Sequence, residues 1–101
     1  MSDAPEIRHV IIRGLVQRVG YRNWTEYTAL QFGLEGWVRN RTDGTVEALF
    51  LGPADVIVSM IEACWQGPRN AKVEAIDDRE GTQDEFMLRR RGERFSVLPT
   101  E

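Results

Sequence analysis

Two stretches of the sequence hold the side chains best suited to chemistry. The first, Gly14-Leu15-Val16-Gln17-Arg18-Val19-Gly20-Tyr21-Arg22, joins a β-branched run to a segment of helical periodicity. At such a junction free backbone N–H groups and the helix dipole favour an anion. Gly14 and Gly20 permit close approach and unusual backbone angles, and the planar guanidinium of Arg22 can offer donors to two phosphate oxygens at once. The loop reads as a phosphate cradle, although two glycines that merely turn the chain beside a solvated arginine would fit these residues equally well. The second stretch ends at Asn40, whose amide can accept a hydrogen bond from water and donate one to a developing negative oxygen. Its position before Arg41-Thr42-Asp43-Gly44 suits a turn-forming asparagine better still. Thr42 can add a hydroxyl contact or serve the turn.

Other reactive residue types point away from a site. His9, the sole histidine, lies inside a predicted strand and reads as packed or surface. Cys64, the sole cysteine, falls in an apolar helical stripe and reads as core; with no internal disulfide possible, a reducing, cytoplasmic setting fits. No His, Cys or carboxylate cluster shows metal-ligand spacing. The run Arg89, Arg90, Arg91 and Arg94 reads as a solvated face and is assigned no function.

Composition sets the outer bounds. With 101 residues the chain has room for one core, so residues 1–101 are expected to form a single domain. The net charge of -3 has the wrong sign for a protein that mainly neutralises a nucleic-acid backbone. No apolar stretch approaches the roughly 18 residues of a membrane span, and Met1 to Glu6 lack the basic and apolar regions of a signal peptide.

The elements that must position Arg22 and Asn40 follow from periodicity. Residues 7–13 read as a strand running into a loop at Gly14. Tyr21, Trp24, Thr28 and Phe32 recur at helical spacing, with Gly33 as the stop. Strands over 34–40 and 45–51 flank the Asp43-Gly44 turn, the clearest hairpin signal in the chain. Gly52-Pro53 opens a second helix with Val56, Ile57, Met60, Ile61 and Cys64 on one stripe, ended by Gly67-Pro68. Residues 72–77 form a fourth strand, and of two later apolar patches, 86–88 and 94–98, the second is the favoured edge strand. The order β-α-β-β-α-β predicts an α+β, ferredoxin-like sandwich, an antiparallel sheet with two helices on one face. A helical crossover makes the first two strands parallel, with the third antiparallel between them, so the loop after Ile12 and Asn40 share one edge.

These residues also carry a family resemblance over nearly the whole chain. Gly36-Trp37-Val38-Arg39-Asn40, then Gly44-Thr45-Val46 after three residues and Gly52 after five more, resembles the second signature of the acylphosphatase family. Residues 12–22, Ile12 to Arg22, are similar to the family's phosphate-loop signature, at the separation the family shows. Tyr21 stands where the family usually has phenylalanine, and Arg18 where it usually has glycine. A non-glycine residue held at positive φ costs about 1–2 kcal/mol; Arg18 is expected to accept that strain with its side chain towards solvent.

The resemblance implies hydrolysis of an acylphosphate to a carboxylate and inorganic phosphate. It implies that the backbone amides of Val16, Gln17, Arg18, Val19, Gly20, Tyr21 and Arg22, with the Arg22 side chain, bind phosphate, that Asn40 positions water, and that no metal or cofactor takes part. A monomer is expected. The competing readings are a catalytically silent module that binds an anion, a protein or RNA, and a domain of a larger carbamoyl-transfer protein. The RNA reading is weakened because the first strand has no aromatic and the third has only Phe50. A free-standing enzyme is favoured over the larger protein, because the chain carries no zinc-finger cysteines and ends soon after the fold.

Overall fold

β-Branched side chains favour pleated backbone, and the chain opens with the strand β1 (Glu6–Leu15) in a computed structural model that describes residues 4–101. β1 runs past its expected end because Gly14 does not stop it. Gly14 takes φ 124° at a bulge where the pairing of β1 shifts register, and a Cβ there would come within 2.2 Å of the Lys72 carbonyl oxygen. The remaining elements follow in the expected order: α1 (Tyr21–Gln31), β2 (Glu35–Asn40), β3 (Val46–Gly52), α2 (Ala54–Gln66) and β4 (Lys72–Glu80). Of the two later apolar patches, the first lies at the end of a short helix, α3 (Gln83–Phe86), started by a capping box between Thr82 and Glu85. The second forms the edge strand β5 (Phe95–Val97).

The sheet order is β4-β1-β3-β2-β5, a ferredoxin-like α+β arrangement. β1, β2, β3 and β4 pair antiparallel as expected, whereas β5 pairs parallel with β2, so the sheet is mixed. The direction follows from where β4 ends. Glu80 pairs with Arg8 near the start of β1, and Leu51 pairs with both Ile7 of β1 and Glu35 of β2. The chain therefore leaves β4 at the edge where β2 begins, and a strand laid along β2 from there runs in its direction.

Both long helices cover one face. Val10, Ile12, Val38, Val46, Ala48 and Phe50 from the sheet pack with Tyr21, Ala29, Ile57, Met60 and Cys64 from the helices. The buried stripe of α1 is Tyr21, Thr25 and Ala29, with Trp24 half-buried, and Phe32 lies at its exposed end instead of completing it. Cys64 is in the core as expected, and burial pushes its thiol up to about 12. Phe50 is fully buried, so the aromatic weighed for RNA stacking is not available for it.

The other face is closed in part by α3 and the tail, where Trp37, Leu49, Phe86 and Leu98 form a second cluster and the Trp37 indole donates to the Glu85 carbonyl at 2.8 Å. Beside it Glu47 is buried. Its Oε2 lies 2.6 Å from His9 Nε2, and its Oε1 accepts from Arg39 Nε at 2.6 Å and Arg41 Nη1 at 3.2 Å. Burial alone would raise this carboxyl, but the hydrogen bonds from His9 and Arg39 and the nearby positive charge hold it down at about 2.

A carboxyl with a depressed folded pKa stabilises above its unfolded value, and that contribution disappears as pH falls towards the folded one. Folding stability is therefore expected to fall as pH drops from the ordinary value of 4.5 towards about 2. Glu47→Gln, weaker at neutral pH, should lose less over that interval in urea midpoints measured at successive pH values. Equal losses in both proteins would remove Glu47 from the acid response.

Candidate active site

Alternation along β2 puts Asn40 on the face of Val38, the face the helices cover, while Trp37 and Arg39 take the other. Its backbone is fixed on both sides. Asn40 pairs with Val46, and its carbonyl accepts from the Glu101 N–H at 3.0 Å. The hairpin beyond it is closed as its sequence predicts, with Gly44 at φ 93° and Asp43 Oδ1 accepting from the Thr45 N–H at 3.0 Å and hydroxyl at 2.7 Å. The Thr45 hydroxyl and amide hold the Asp43 carboxyl below its usual range. Thr42 serves the turn: it is exposed, outside the pocket, and its N–H donates to the Glu101 carbonyl at 3.1 Å.

Val46 is also the partner of Ile12, so the loop that follows β1 starts two strands away from Asn40. Gln17 closes the remaining gap. Its side-chain amide donates to the carbonyls of Arg41 and Thr45, each at 2.8 Å, and so ties the loop to both flanks of the hairpin. Sequence reasoning assigned Gln17 only a backbone contact; a lone polar side chain in a loop has no periodic signature that would reveal such a bridge.

Between loop and strand lies a pocket of about 90 Å³, lined by Val16, Arg18, Gly20, Tyr21, Arg22, Asn23 and Asn40. The volume is well below the roughly 300–1,000 Å³ of sites that enclose drug-sized ligands and suits a small anion. Arg22 and Asn40 are thus brought together, and Asn23, which the sequence did not single out, joins them. Gln17 and Val19 do not line the pocket; Val19 packs on the core. The Tyr21 ring is buried too, with its hydroxyl donating to the Cys64 carbonyl, so towards the pocket it can offer only backbone. Burial drives the Tyr21 phenol upward. His9 lies on the opposite face of the sheet.

The start of α1 breaks the rules of a stable helix start. Gly20 at its N-cap is left-handed, at φ 81°, and gives no side-chain cap; the first turn has no acidic residue and instead carries Arg22. α2 also lacks a side-chain cap but has Asp55 in its first turn, and α3 has a capping box with Asp84 and Glu85 in its first turn. No hydrogen bond within the described residues takes up the backbone N–H groups of residues 17–23. Nor do the side chains of Arg18, Arg22, Asn23 and Asn40 pair with any described residue. Donors, a dipole's positive end and unpaired guanidinium groups converge on one small space, and that combination selects an anion.

A larger cleft of about 350 Å³ lies at the other end of β1, lined by Glu6, Arg8 and Glu80 among others. Its arginine is already paired with Asp78 at 2.8 Å, and two acidic residues, Glu6 and Glu80, share its lining. The late arginines are only partly solvated: Arg89 pairs with Glu35 at 2.8 Å, Arg90 donates to the Val97 carbonyl and Arg94 to that of Gly33. Among the described residues no group of three or more His, Cys, Asp or Glu stands close enough to hold a metal ion.

The chain matches the family model described as Acylphosphatase over residues 8–97. It is 53% identical over 94 residues to a protein of Rhodopseudomonas palustris (strain BisB18) named acylphosphatase, covering 93% of this chain and 95% of that one. The crystal structure of acylphosphatase from Bacillus subtilis is similar at a TM-score of 0.78 and 35% identity, over 91% of this chain and 97% of that one. The structure of an acylphosphatase from Coxiella burnetii is similar at a TM-score of 0.81 and 29% identity, over 94% of each chain.

Arg18 is the one non-glycine residue at positive φ among those described, at 63°, and its exposed side chain stands at the pocket's rim. Replacing it by glycine removes left-handed strain but loosens the unfolded chain, so Arg18→Gly is expected to raise stability by no more than about 1 kcal/mol. Urea denaturation checks this, and a lowered midpoint would show that the arginine side chain contributes more than its strain removes.

Proposed function

The chain belongs to the acylphosphatase family, and on that premise we propose that it hydrolyses acylphosphates, with the pocket at the start of α1 as the phosphate site. The observation that carries this is the unpaired Arg22 at a helix N-terminus that has neither a side-chain cap nor an acidic first turn, lining one small pocket with the free amide of Asn40. The loop amides from Val16 to Arg22 and the Arg22 guanidinium hold the phosphoryl oxygens. Asn40 accepts a hydrogen bond from a water and holds it in line with the bond from phosphorus to the carboxylate oxygen. As water attacks phosphorus, that bond breaks and the carboxylate leaves; the water's proton passes to a phosphoryl oxygen, giving inorganic phosphate. A carboxylate leaves readily, so positioning and charge neutralisation suffice without metal, cofactor or general base. The same reading has the protein acting as a monomer on a small substrate in the cytoplasm; among the described residues no helix is long and apolar enough to cross a membrane.

Arg22 and Asn40 are expected to fail differently. Arg22→Ala should lose phosphate inhibition together with turnover of benzoyl phosphate, because its contact exists in both ground and transition states. Asn40→Ala should lower kcat by about 10²-fold or more while phosphate still inhibits. Unchanged phosphate inhibition in the first variant, or near-normal kcat in the second, would take that residue out of the mechanism. Activity should survive chelators; loss with EDTA, restored by one added metal, would overturn the metal-free route.

A further inference from the structure

Glu47 is a buried carboxylate that the proposed reaction does not use, and its partners connect it to Asn40. Arg39 and Arg41 flank Asn40 in the chain, and alternation puts them on the opposite face of the sheet. Glu47, in register with Arg39 across β2 and β3, takes both on a single oxygen, Arg39 Nε at 2.6 Å and Arg41 Nη1 at 3.2 Å. Its other oxygen is held by His9 at 2.6 Å, and Arg39 also lies over the Trp37 ring, 4.9 Å from its centroid. Ion clusters that are removed from water often add little net stability compared with apolar packing. Apolar side chains could supply as much stability here, so stability alone does not account for the choice of charged ones. The cluster's geometry does: β2 ends at Asn40, the last backbone rung is the Arg41 N–H donating to the Thr45 carbonyl at 2.9 Å, and the bond between Glu47 and Arg41 adds a side-chain hold on the residue past that end.

We propose that Glu47 is a positioning residue: by gripping the arginines on either side of Asn40, it adds a side-chain clamp to the backbone bonds that hold this strand end and so keeps the Asn40 amide aimed at the attacking water. The proposal rests on the reading of Asn40 given above. Near-attack geometry is sensitive, since a displacement of about 1 Å can lower a rate by about 10²-fold, so a loosened strand end slows turnover without weakening the phosphate cradle on the other face.

The test is a double-mutant cycle on benzoyl phosphate hydrolysis. Glu47→Gln keeps the side-chain volume but turns one acceptor into a donor in a site built of donors. It is expected to lower kcat by about tenfold and leave the inhibition constant of inorganic phosphate within about twofold. In an Asn40→Ala background the same substitution should change kcat by less than about twofold, because its effect passes through the missing amide. A wild-type kcat in Glu47→Gln, or an equal loss in both backgrounds, overturns the proposal. If Glu47→Gln does not fold, Arg41→Ala removes the more exposed partner; it should lower kcat by about threefold, and again only where Asn40 is present. The underlying reading fails distinguishably: then the wild type hydrolyses no acylphosphate, or Asn40→Ala is as active as the wild type.

Discussion

Val46 is the register partner of Ile12 in β1 and of Asn40 in β2, so both strands that carry parts of the site are locked to one residue of the strand between them. Adjacent strands lie about 4.8 Å apart, which sets the span from β1 to β2 at about 10 Å. That span is small enough for a five-residue loop and one glutamine side chain to bridge. The crossover through α1 makes β1 and β2 parallel, so both end at the same edge, and the helix that returns the chain begins where the loop closes. The proposed phosphate cradle and water-orienting amide thus both depend on one strand pairing. Slipping β3 by one residue would turn Val46 out of the core and leave Ile12 and Asn40 without their common partner.

Local stability is given up around this point and recovered elsewhere. α1 starts with a left-handed glycine, no cap and a cation at the positive end of its dipole, and the preceding loop holds Arg18 in a left-handed conformation. Each choice is unfavourable for an isolated helix. The compensation is tertiary: Tyr21, at the helix's first position, is buried and hydrogen-bonded to α2, and Thr25 and Ala29 continue that contact into the core. The start of the helix is held by its second face, which leaves its N–H groups free for an anion.

The parts legible in the sequence were those with local signatures. Asp43-Gly44 marked the hairpin, the stripe from Val56 to Cys64 marked α2, and the two glycine-bearing segments marked the loop and the strand end that meet at the pocket. Arg18 was recognisable as strained because it interrupts a glycine pattern. What was missed depends on contacts between distant residues. Gly14 reads as a stop but forms a bulge, since only the approach of Lys72 reveals the need for it. Thr82 and Glu85 spelled a capping box that the apolar patch after them obscured. Glu47 looks solvent-facing in an alternating strand; it is buried because α3 and the tail close over the second face, which no periodicity in β3 announces. The parallel direction of β5 came from where β4 ends, a property of the assembled sheet.

The proposed mechanism requires that the free N–H groups at the start of α1, with Arg22, form the anion site. Titrating the isotopically labelled protein with inorganic phosphate while following backbone and side-chain amide resonances tests it most directly. Saturable shifts are expected to concentrate in residues 16–23 and the Asn40 side-chain amide, with the cleft at Arg8 unaffected. Saturable shifts centred on that cleft, or none at residues 16–23, would rule out an anion site at the start of α1.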